Sequence, residues 1–386
     1  MKIGLGFNHH SFYYHTSEST AARGLGRAWL RQGHEVLFIN MPKRMMPPEQ
    51  LDSRFVAEHG DLLPLLVDSD SPRLDRLDVL FELFDYRGCR DTSFLRPARF
   101  CTGAFAWALS PLSAAATRNV ARYRSPLFIT GSQSYNEAVA LGVDAYLYTV
   151  GVDTEVFHPN GAVPPSGATK FLWVGGCAPA AGPDVVLEAY FKAFSNRDNV
   201  SLTMVSPLEV TARLTREVLQ RMPFDYQPPP LVYEQGNSLP SELAQLYREH
   251  TMLVLPLRFH AGCHPITEAM ACGCLVVTTP WTAPLDYAAQ DEALWVDYEL
   301  ETVTEGAQRL AERYYCMGWF RRYFRRFQTD TVYRWARPSV DSLAEIMGRV
   351  HRGDYDKSIP GRALAKAGTH TWDKAARHII DTIEGL

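Results

Sequence analysis

The residues best suited to chemistry lie close together in the stretch His260–Pro280, HAGCHPITEAMACGCLVVTTP. Proline and glycine placement predicts a helix that begins at Pro265 and ends at Gly273, followed by a buried strand, Leu275–Thr278. The free N–H groups at such a helix start bind phosphate, and Glu268 in its first turn can accept hydrogen bonds from a ligand hydroxyl. An ordinary helix-to-strand crossover with a favourably placed glutamate explains the same pattern.

Strands and helices alternate on both sides of this stretch. In the first half, strand Ile3–Phe7, a helix from Ser17 and strand Val36–Ile39 form a βαβ unit. In the second half the alternation runs from strand Phe171–Val174 to strand Met252–Leu255. The sequence therefore predicts an α/β protein with two doubly wound, Rossmann-like domains facing one another across a cleft.

The domain boundaries follow from composition and length. The chain has 386 residues, which is too long for one ordinary core. His158–Lys170 is rich in proline and glycine and is typical of an interdomain linker. We expect one domain over residues 1–160, a second over 168–358, and a terminal helix within 360–386 that crosses back to the first domain.

Charge and cysteine content restrict the protein class. The formal net charge of −4 argues against general binding to nucleic acid or anionic membranes. Seven scattered cysteines suit reduced thiols in a cytoplasm better than a disulfide framework. The chain begins directly with a strand rather than a signal peptide, and its longest uncharged run, Cys101–Thr117, is broken by Pro111. A cytoplasmic protein without a transmembrane segment is expected.

The loop after the first strand is rich in histidine and aromatic residues. Loops at the carboxyl ends of parallel strands are where such sheets bind ligands. His9, His10, Tyr13 and Tyr14 are therefore candidates for contact with an acceptor substrate. A surface loop that stacks on itself is the equally supported alternative.

Several motifs occur in the order found in one family. EAMACGCLVVTT resembles the E-x7-E and A-M-A-x-G-x-P-V-V segment of retaining, family 4 glycosyltransferases of GT-B fold. Phe171–Gly176 resembles the first strand and glycine turn of their second domain, and Val150–Pro159 resembles their "NGVD…F.P" junction. The resemblance implies a GT-B fold, an acceptor side in the first domain and a nucleotide-diphosphate sugar bound by the second. It also implies no cofactor and no essential metal.

The same resemblance implies site roles. Glu268 would bind the nucleotide ribose, and Gln235 and Gly236 would lie near the base. The remaining donor-site positions would surround the diphosphate: Gly175, Gly176, His264, Pro265, Ile266 and Thr267. The N–H groups of the glycine turn and of the helix start would contact it together with the Thr267 hydroxyl, Pro265 itself having no N–H. Developing charge on the leaving diphosphate is what such a site must stabilise.

Three positions depart from the family pattern. Gly176 stands where an arginine usually follows the glycine turn, and Ala180-Ala181 stand where a lysine is usual. His260 replaces the first glutamate of E-x7-E, which normally touches the donor sugar. We expect His260 and Arg258, with His264, to take the place of these missing side chains. A histidine cation among them would make the activity depend on pH near neutrality. An unusual donor, a rewired phosphate site and a retired active site all fit these changes.

Two further patterns bear on metal binding and on polymer binding. His260, Cys263, His264, Cys272 and Cys274 match no common structural zinc spacing, so no metal is expected. Trp319–Arg337 interleaves arginines with aromatic residues and predicts a surface helix with solvated arginines. Its alternatives are docking of a nucleic-acid or other polymer acceptor, which is not favoured, and the contact face of a homodimer.

The sequence thus predicts a glycosyltransferase that moves a hexose-like sugar, with retention, from a nucleotide-diphosphate donor to an unidentified acceptor without a metal. A catalytically silent GT-B protein that acts as a binding or partner subunit is the main alternative. An enzyme acting on a polymer docked by residues 319–337 is the other.

Overall fold

The computed structural model describes residues 1–386 except 8–11, 14–16, 41–49, 85–97, 107–108, 124–125, 162–166, 176–178, 207–209, 236–237 and 315–330. The chain forms two compact units. The first consists of Met1–Ala108, Leu112–Asp153 and His370–Leu386, and the second of Leu109–Pro111 and Thr154–Thr369.

The strands, in chain order, are β1 (Lys2–Phe7), β2 (Glu35–Asn40), β3 (Leu66–Asp68), β4 (Val79–Phe84), β5 (Phe100–Ala106), β6 (Leu127–Thr130), β7 (Ala145–Tyr148), β8 (Thr169–Val174), β9 (Val200–Ser206), β10 (Leu231–Gln235), β11 (Met252–Leu255), β12 (Leu275–Thr278), β13 (Leu294–Trp295), β14 (Tyr298–Thr302) and β15 (Arg334–Pro338).

The helices are α1 (Ser17–Arg31), α2 (Ser53–His59), α3 (Ala114–Tyr123), α4 (Ser132–Ala140), α5 (Pro183–Ala193), α6 (Val210–Leu219), α7 (Pro240–Glu249), α8 (His264–Ala271), α9 (Pro284–Tyr287), α10 (Val303–Arg313), α11 (Val340–His351), α12 (Ile359–Ala367) and α13 (Trp372–Glu384). Among the described residues, no helix is both long enough and apolar enough to cross a membrane.

The first unit is built on a parallel sheet with strand order β3-β2-β1-β4-β5-β6-β7. Helix α1 packs on α13, where the indole N–H of Trp29 donates to the carbonyl of Ala376 at 3.1 Å. Gly24 permits this approach, because a Cβ at that position would lie 2.3 Å from the Trp372 ring. The C-terminal helix is therefore part of the first unit's core.

The sequence of Cys101–Tyr123 predicts one helix or a pair of helices, and this prediction is wrong in its first half. Phe100–Ala106 is strand β5, which pairs with β4 on one side and β6 on the other. The hydroxyl of Thr102 is buried and donates to the carbonyl of Pro126. Pairing on both edges stabilises a small-residue segment as a strand, although its alanines and glycine carry little β-propensity.

The second unit contains a parallel sheet with strand order β10-β9-β8-β11-β12-β13. All residues of β11 and β12 are buried, as expected for parallel strands covered by helices on both faces. The order reverses between β8 and β11, so these adjacent strands form the topological switch point of the sheet. The prediction of two doubly wound, Rossmann-like domains is confirmed.

The prediction of a helix over Trp319–Arg337 is wrong where the structure describes this segment. Arg334–Pro338 forms β15, which pairs antiparallel with β14. Trp335 is fully buried, donates its indole N–H to Glu301 at 2.8 Å and stacks on Phe259. Burial of this tryptophan favours the strand, and residues 315–330 lie outside the described part.

Candidate functional site

The candidate site lies in the second unit, at the carboxyl ends of β8 and β11. Open α/β sheets bind ligands where the strand order reverses, because the loops that follow the two strands diverge there. Gly175 follows β8, and the next described residues of that loop are Pro179–Gly182. Residues Pro256–Cys263 connect β11 to α8.

The loop after β8 is held close to its neighbours. The N–H of Gly175 donates to Val205 at 3.1 Å, and a Cβ at Gly175 would lie 3.0 Å from the Ala181 Cβ. Gly182 precedes α5 in a left-handed conformation, with φ of 63°. Gly176, also predicted to meet the diphosphate, lies outside the described residues.

Arg258 joins the two loops through a buried ion pair. Its Nη1 and Nη2 donate to Oδ1 and Oδ2 of Asp184 at 2.8 and 2.7 Å, and Nη1 also donates to the Pro179 carbonyl. The two side chains are 1% and 5% exposed. Arg258 was predicted to replace a missing phosphate-binding cation, but its charge is already committed to Asp184. We expect the pair to hold the two loops in place, and the catalytic role of Arg258 stays a prediction.

His260 presents a neutral imidazole. Its Nδ1 accepts the N–H groups of Gly262 at 3.2 Å and Cys263 at 2.9 Å, so the ring proton resides on Nε2. Burial lowers the pKa of His260 to about 4. The prediction of a histidine cation that titrates near neutrality is therefore not supported, because this ring is uncharged at pH 7 and offers an Nε2–H donor.

Stability is expected to fall on acidification through His260. Its pKa is about 4 when folded against 6.5 for an ordinary histidine, so the unfolded chain binds the proton first. This contribution is complete above pH 6.5 and is lost as the pH falls towards 4, by up to about 3 kcal/mol at 1.4 kcal/mol per unit. Urea unfolding of the native protein and His260→Gln between pH 4 and 8 measures it. Parallel pH profiles of the two proteins would contradict this assignment.

The start of α8 differs from the expectation of free phosphate-binding amides. Cys263 caps the helix in a left-handed conformation, with φ of 43°, which is unusual for a residue other than glycine. The N–H groups of Ile266 and Thr267 donate to the Cys263 carbonyl. The Thr267 hydroxyl donates to the His264 carbonyl and is fully buried, so its predicted contact with phosphate is not supported.

The helix begins at His264, one residue before the predicted start at Pro265. His264 is 6% exposed and Ile266 is fully buried. The sequence predicts Glu268 in the first turn of the helix. Glu268 is instead the fifth helical residue and lies beyond that turn.

Glu268 is the buried carboxyl group of this site. It is 3% exposed, and its Oε2 accepts the hydroxyl of Tyr247 at 3.1 Å. Burial raises the pKa of Glu268 to about 7, and the Tyr247 hydrogen bond partly opposes that rise. Sequence reasoning missed Tyr247, which lies on the preceding helix, α7. Its position in the run SELAQLYREH indicates only an aromatic residue of the core.

The other predicted residues lie apart or outside the described part. Gln235 ends β10, at the carboxyl edge of the same sheet, and Gly236 is not described. His9, His10 and Tyr14 also lie outside the described residues. Tyr13 is 7% exposed and packs edge-on against Phe12 and Phe55, and its contact with an acceptor stays a prediction.

The described thiols are free. Cys101, Cys263, Cys272 and Cys274 form no disulfide, and burial raises the pKa of Cys272 and of Cys274 to about 12. Within the described ranges, no group of three or more histidine, cysteine or acidic side chains is arranged to hold a metal ion.

Comparison with known proteins agrees with this fold. Residues 168–313 match the family described as glycosyl transferases group 1. HepE from Anabaena, solved in complex with UDP and glucose, superposes with a TM-score of 0.66 at 12% identity, covering 100% of both chains. Sucrose-phosphate synthase from Thermosynechococcus elongatus gives 0.65 at 12% identity, covering 100% of this chain and 98% of that chain. The chain has the GT-B fold. A comparison with curated protein sequences finds no match.

The candidate site lies in the part of the chain that matches this family. Gly175, Arg258, His260 and Glu268 all lie within residues 168–313. The resemblance drawn from the motifs is therefore confirmed for the fold and for this region. A glycosyltransferase from Rickettsia africae has the same fold, with a TM-score of 0.60 at 13% identity over 98% of this chain and 97% of that one.

Proposed function

We propose that the protein transfers a hexose-like sugar, with retention, from a nucleotide-diphosphate donor to an unidentified acceptor in the cytoplasm, without a metal. The observation that carries the proposal is the buried carboxyl group of Glu268 on α8, the helix that follows the switch-point strand β11 of a GT-B sheet. A carboxylate there can accept two hydrogen bonds from a ribose diol. The match of residues 168–313 to group 1 glycosyl transferases supports the same chemistry.

The surrounding groups suit a leaving group that carries its own charge. The start of α8 supplies the positive end of a helix dipole, and His260 adds a neutral Nε2–H donor. Both stabilise negative charge that develops on the leaving diphosphate. In a retaining transfer the departing phosphate can accept the acceptor's proton, so a separate enzyme base is not required.

Thermal unfolding in the presence of UDP, GDP, ADP and dTDP, and of their sugars, tests the proposal. Saturation to about 100 times Kd stabilises a folded protein by about 2.7 kcal/mol. We expect one nucleotide to raise the melting temperature of the native protein and Glu268→Ala to lose that shift. The affinity should rise as the pH increases through 7, because Glu268 must ionise to accept the ribose hydroxyls.

Glu345→Ala is the matched control, because Glu345 is exposed on α11 of the same unit. It should keep the full shift. An equal shift in native protein and Glu268→Ala would remove the ribose role of Glu268. Incubating the stabilising nucleotide sugar with candidate acceptors, and following both the release of nucleoside diphosphate and the appearance of the sugar on the acceptor, then tests transfer.

One observation favours a second candidate, a silent GT-B binding subunit. The amides of Gly262 and Cys263 are bonded to the His260 ring, and Arg258 is paired with Asp184. A diphosphate at these amides would have to displace the ring. The absence of stabilisation by every nucleotide and nucleotide sugar would support this candidate.

A further inference from the structure

One carboxylate oxygen of Glu268 accepts a hydrogen bond, and the other can accept one from a ligand. Buried carboxyl groups need hydrogen-bond donors, because an unpaired one carries a large desolvation penalty. Tyr247 is the side chain that donates to Glu268 among the described residues, and it reaches Oε2. Oε1 is left for another donor, and Glu268 retains 3% of its surface exposed.

Tyr247 is itself held rigidly. The ring is fully buried on α7, and its centroid lies 6.2 Å from that of Phe157. A tyrosine side chain has two rotatable bonds, so packing of the ring fixes the direction of its hydroxyl. The phenol stays protonated, because burial and the neighbouring Glu268 raise the pKa of Tyr247 well above its ordinary value. It is therefore a permanent donor.

We propose that Tyr247 is a positioning residue that fixes Oε2 of Glu268, so that Oε1 accepts the vicinal hydroxyls of the nucleotide ribose. Without the phenol, the carboxyl group can rotate and both oxygens compete for the same ligand hydroxyls. Tyr247 then sets the preference for a ribonucleotide over its deoxy counterparts without touching the ligand. This inference rests on the proposed function.

The test compares Tyr247→Phe with Tyr190→Phe. Tyr190 is also fully buried in the second unit, and its hydroxyl donates to the Pro230 carbonyl at 2.8 Å, so both variants lose one tyrosine hydrogen bond. Calorimetric titration would measure the affinity for the stabilising nucleotide diphosphate and for its 2′-deoxy and 3′-deoxy forms.

We expect Tyr247→Phe to weaken ribonucleotide binding about tenfold and to leave deoxynucleotide binding nearly unchanged, so that discrimination collapses. The pH midpoint of binding should also move upward, because the lost hydrogen bond lowers the pKa of Glu268. Tyr190→Phe should change neither quantity. An unchanged discrimination ratio in Tyr247→Phe, or an equal loss in both variants, would overturn the inference.

A second readout separates this inference from the proposed function. Cys272 and Cys274 also face the Tyr247–Glu268 pair, and Arg248 lies beside Cys272, but the thiol pKa values of about 12 keep both cysteines neutral near pH 7. The difference in the free energy of unfolding between the native protein and Glu268→Gln should therefore decrease between about pH 4.5, the ordinary pKa of a glutamate, and about 7, the folded pKa of Glu268.

In the Tyr247→Phe background this decrease should have a higher midpoint. If no nucleotide binds the native protein, the proposed function fails, and the midpoint still decides whether Tyr247 controls Glu268. An unmoved midpoint would show that Tyr247 only packs.

Discussion

Replacing Asp184 by alanine is expected to lower the free energy of unfolding by about 3–5 kcal/mol, because Arg258 would remain buried without its counter-ion. The pair is bidentate, and both side chains are almost fully excluded from water. Chemical denaturation of the native protein and Asp184→Ala measures the loss. Nucleotide binding should weaken as well, since the pair fixes the two loops of the candidate site.

Asp354→Ala is the matched control. Asp354 pairs with Arg349 at 3.6 Å, and its side chain is 72% exposed, so its removal should change stability by less than about 1 kcal/mol. The double variant Asp184→Leu/Arg258→Met should recover much of the loss, because an apolar pair leaves no buried charge. A loss in Asp184→Ala no larger than that in Asp354→Ala would contradict the proposed positioning role of the pair.

Gly182→Ala is expected to be destabilising by about 2–5 kcal/mol, from left-handed strain together with overpacking. Gly182 has φ of 63°, and a Cβ there would lie 2.3 Å from the carbonyl oxygen of Pro256. That oxygen belongs to the backbone after β11, so it cannot move aside as a flexible side chain would. Thermal and urea unfolding both report the loss.

Gly353→Ala separates the two contributions. Gly353 also has a positive φ, of 74°, but a Cβ there meets only the end of the Lys357 side chain, at 3.5 Å. This variant should lose only about 1–2 kcal/mol, the penalty of the left-handed conformation itself. Equal losses in the two alanine variants would show that the short distance between Pro256 and a Cβ at residue 182 does not lower the free energy of unfolding.

The parallel sheet of the second unit could be predicted from sequence because each of its strands is a short apolar run between turn residues. Leu275–Val277 with Gly273 before it and Pro280 after it is such a run, and it forms β12. Phe100–Ala106 could not be identified in this way. Its alanines favour a helix locally, and its strand conformation depends on β4 and β6, which lie on either side in space.

The short helix that carries Glu268 could also be predicted from the spacing of Pro265 and Gly273, although it begins one residue earlier and places Glu268 beyond its first turn. The roles of the surrounding charges could not. Arg258 looks like a phosphate-binding cation until Asp184, 74 positions earlier in the chain, is found 2.7 Å away. His260 looks like a titrating cation until two backbone N–H groups are found on Nδ1. Such partners come from tertiary structure rather than from local pattern.

The division of the chain into units has a consequence for biosynthesis. The first unit is completed by His370–Leu386, whose helix α13 carries Trp372 against Gly24 and receives the Trp29 indole N–H. Residues Thr154–Thr369 of the second unit all precede this segment. On the ribosome, the second unit can therefore complete its core while the first still lacks a helix. The second unit is thus finished before the first, although most of the first is synthesised earlier. A chain released before residue 370 would leave the face of α1 around Trp29 uncovered.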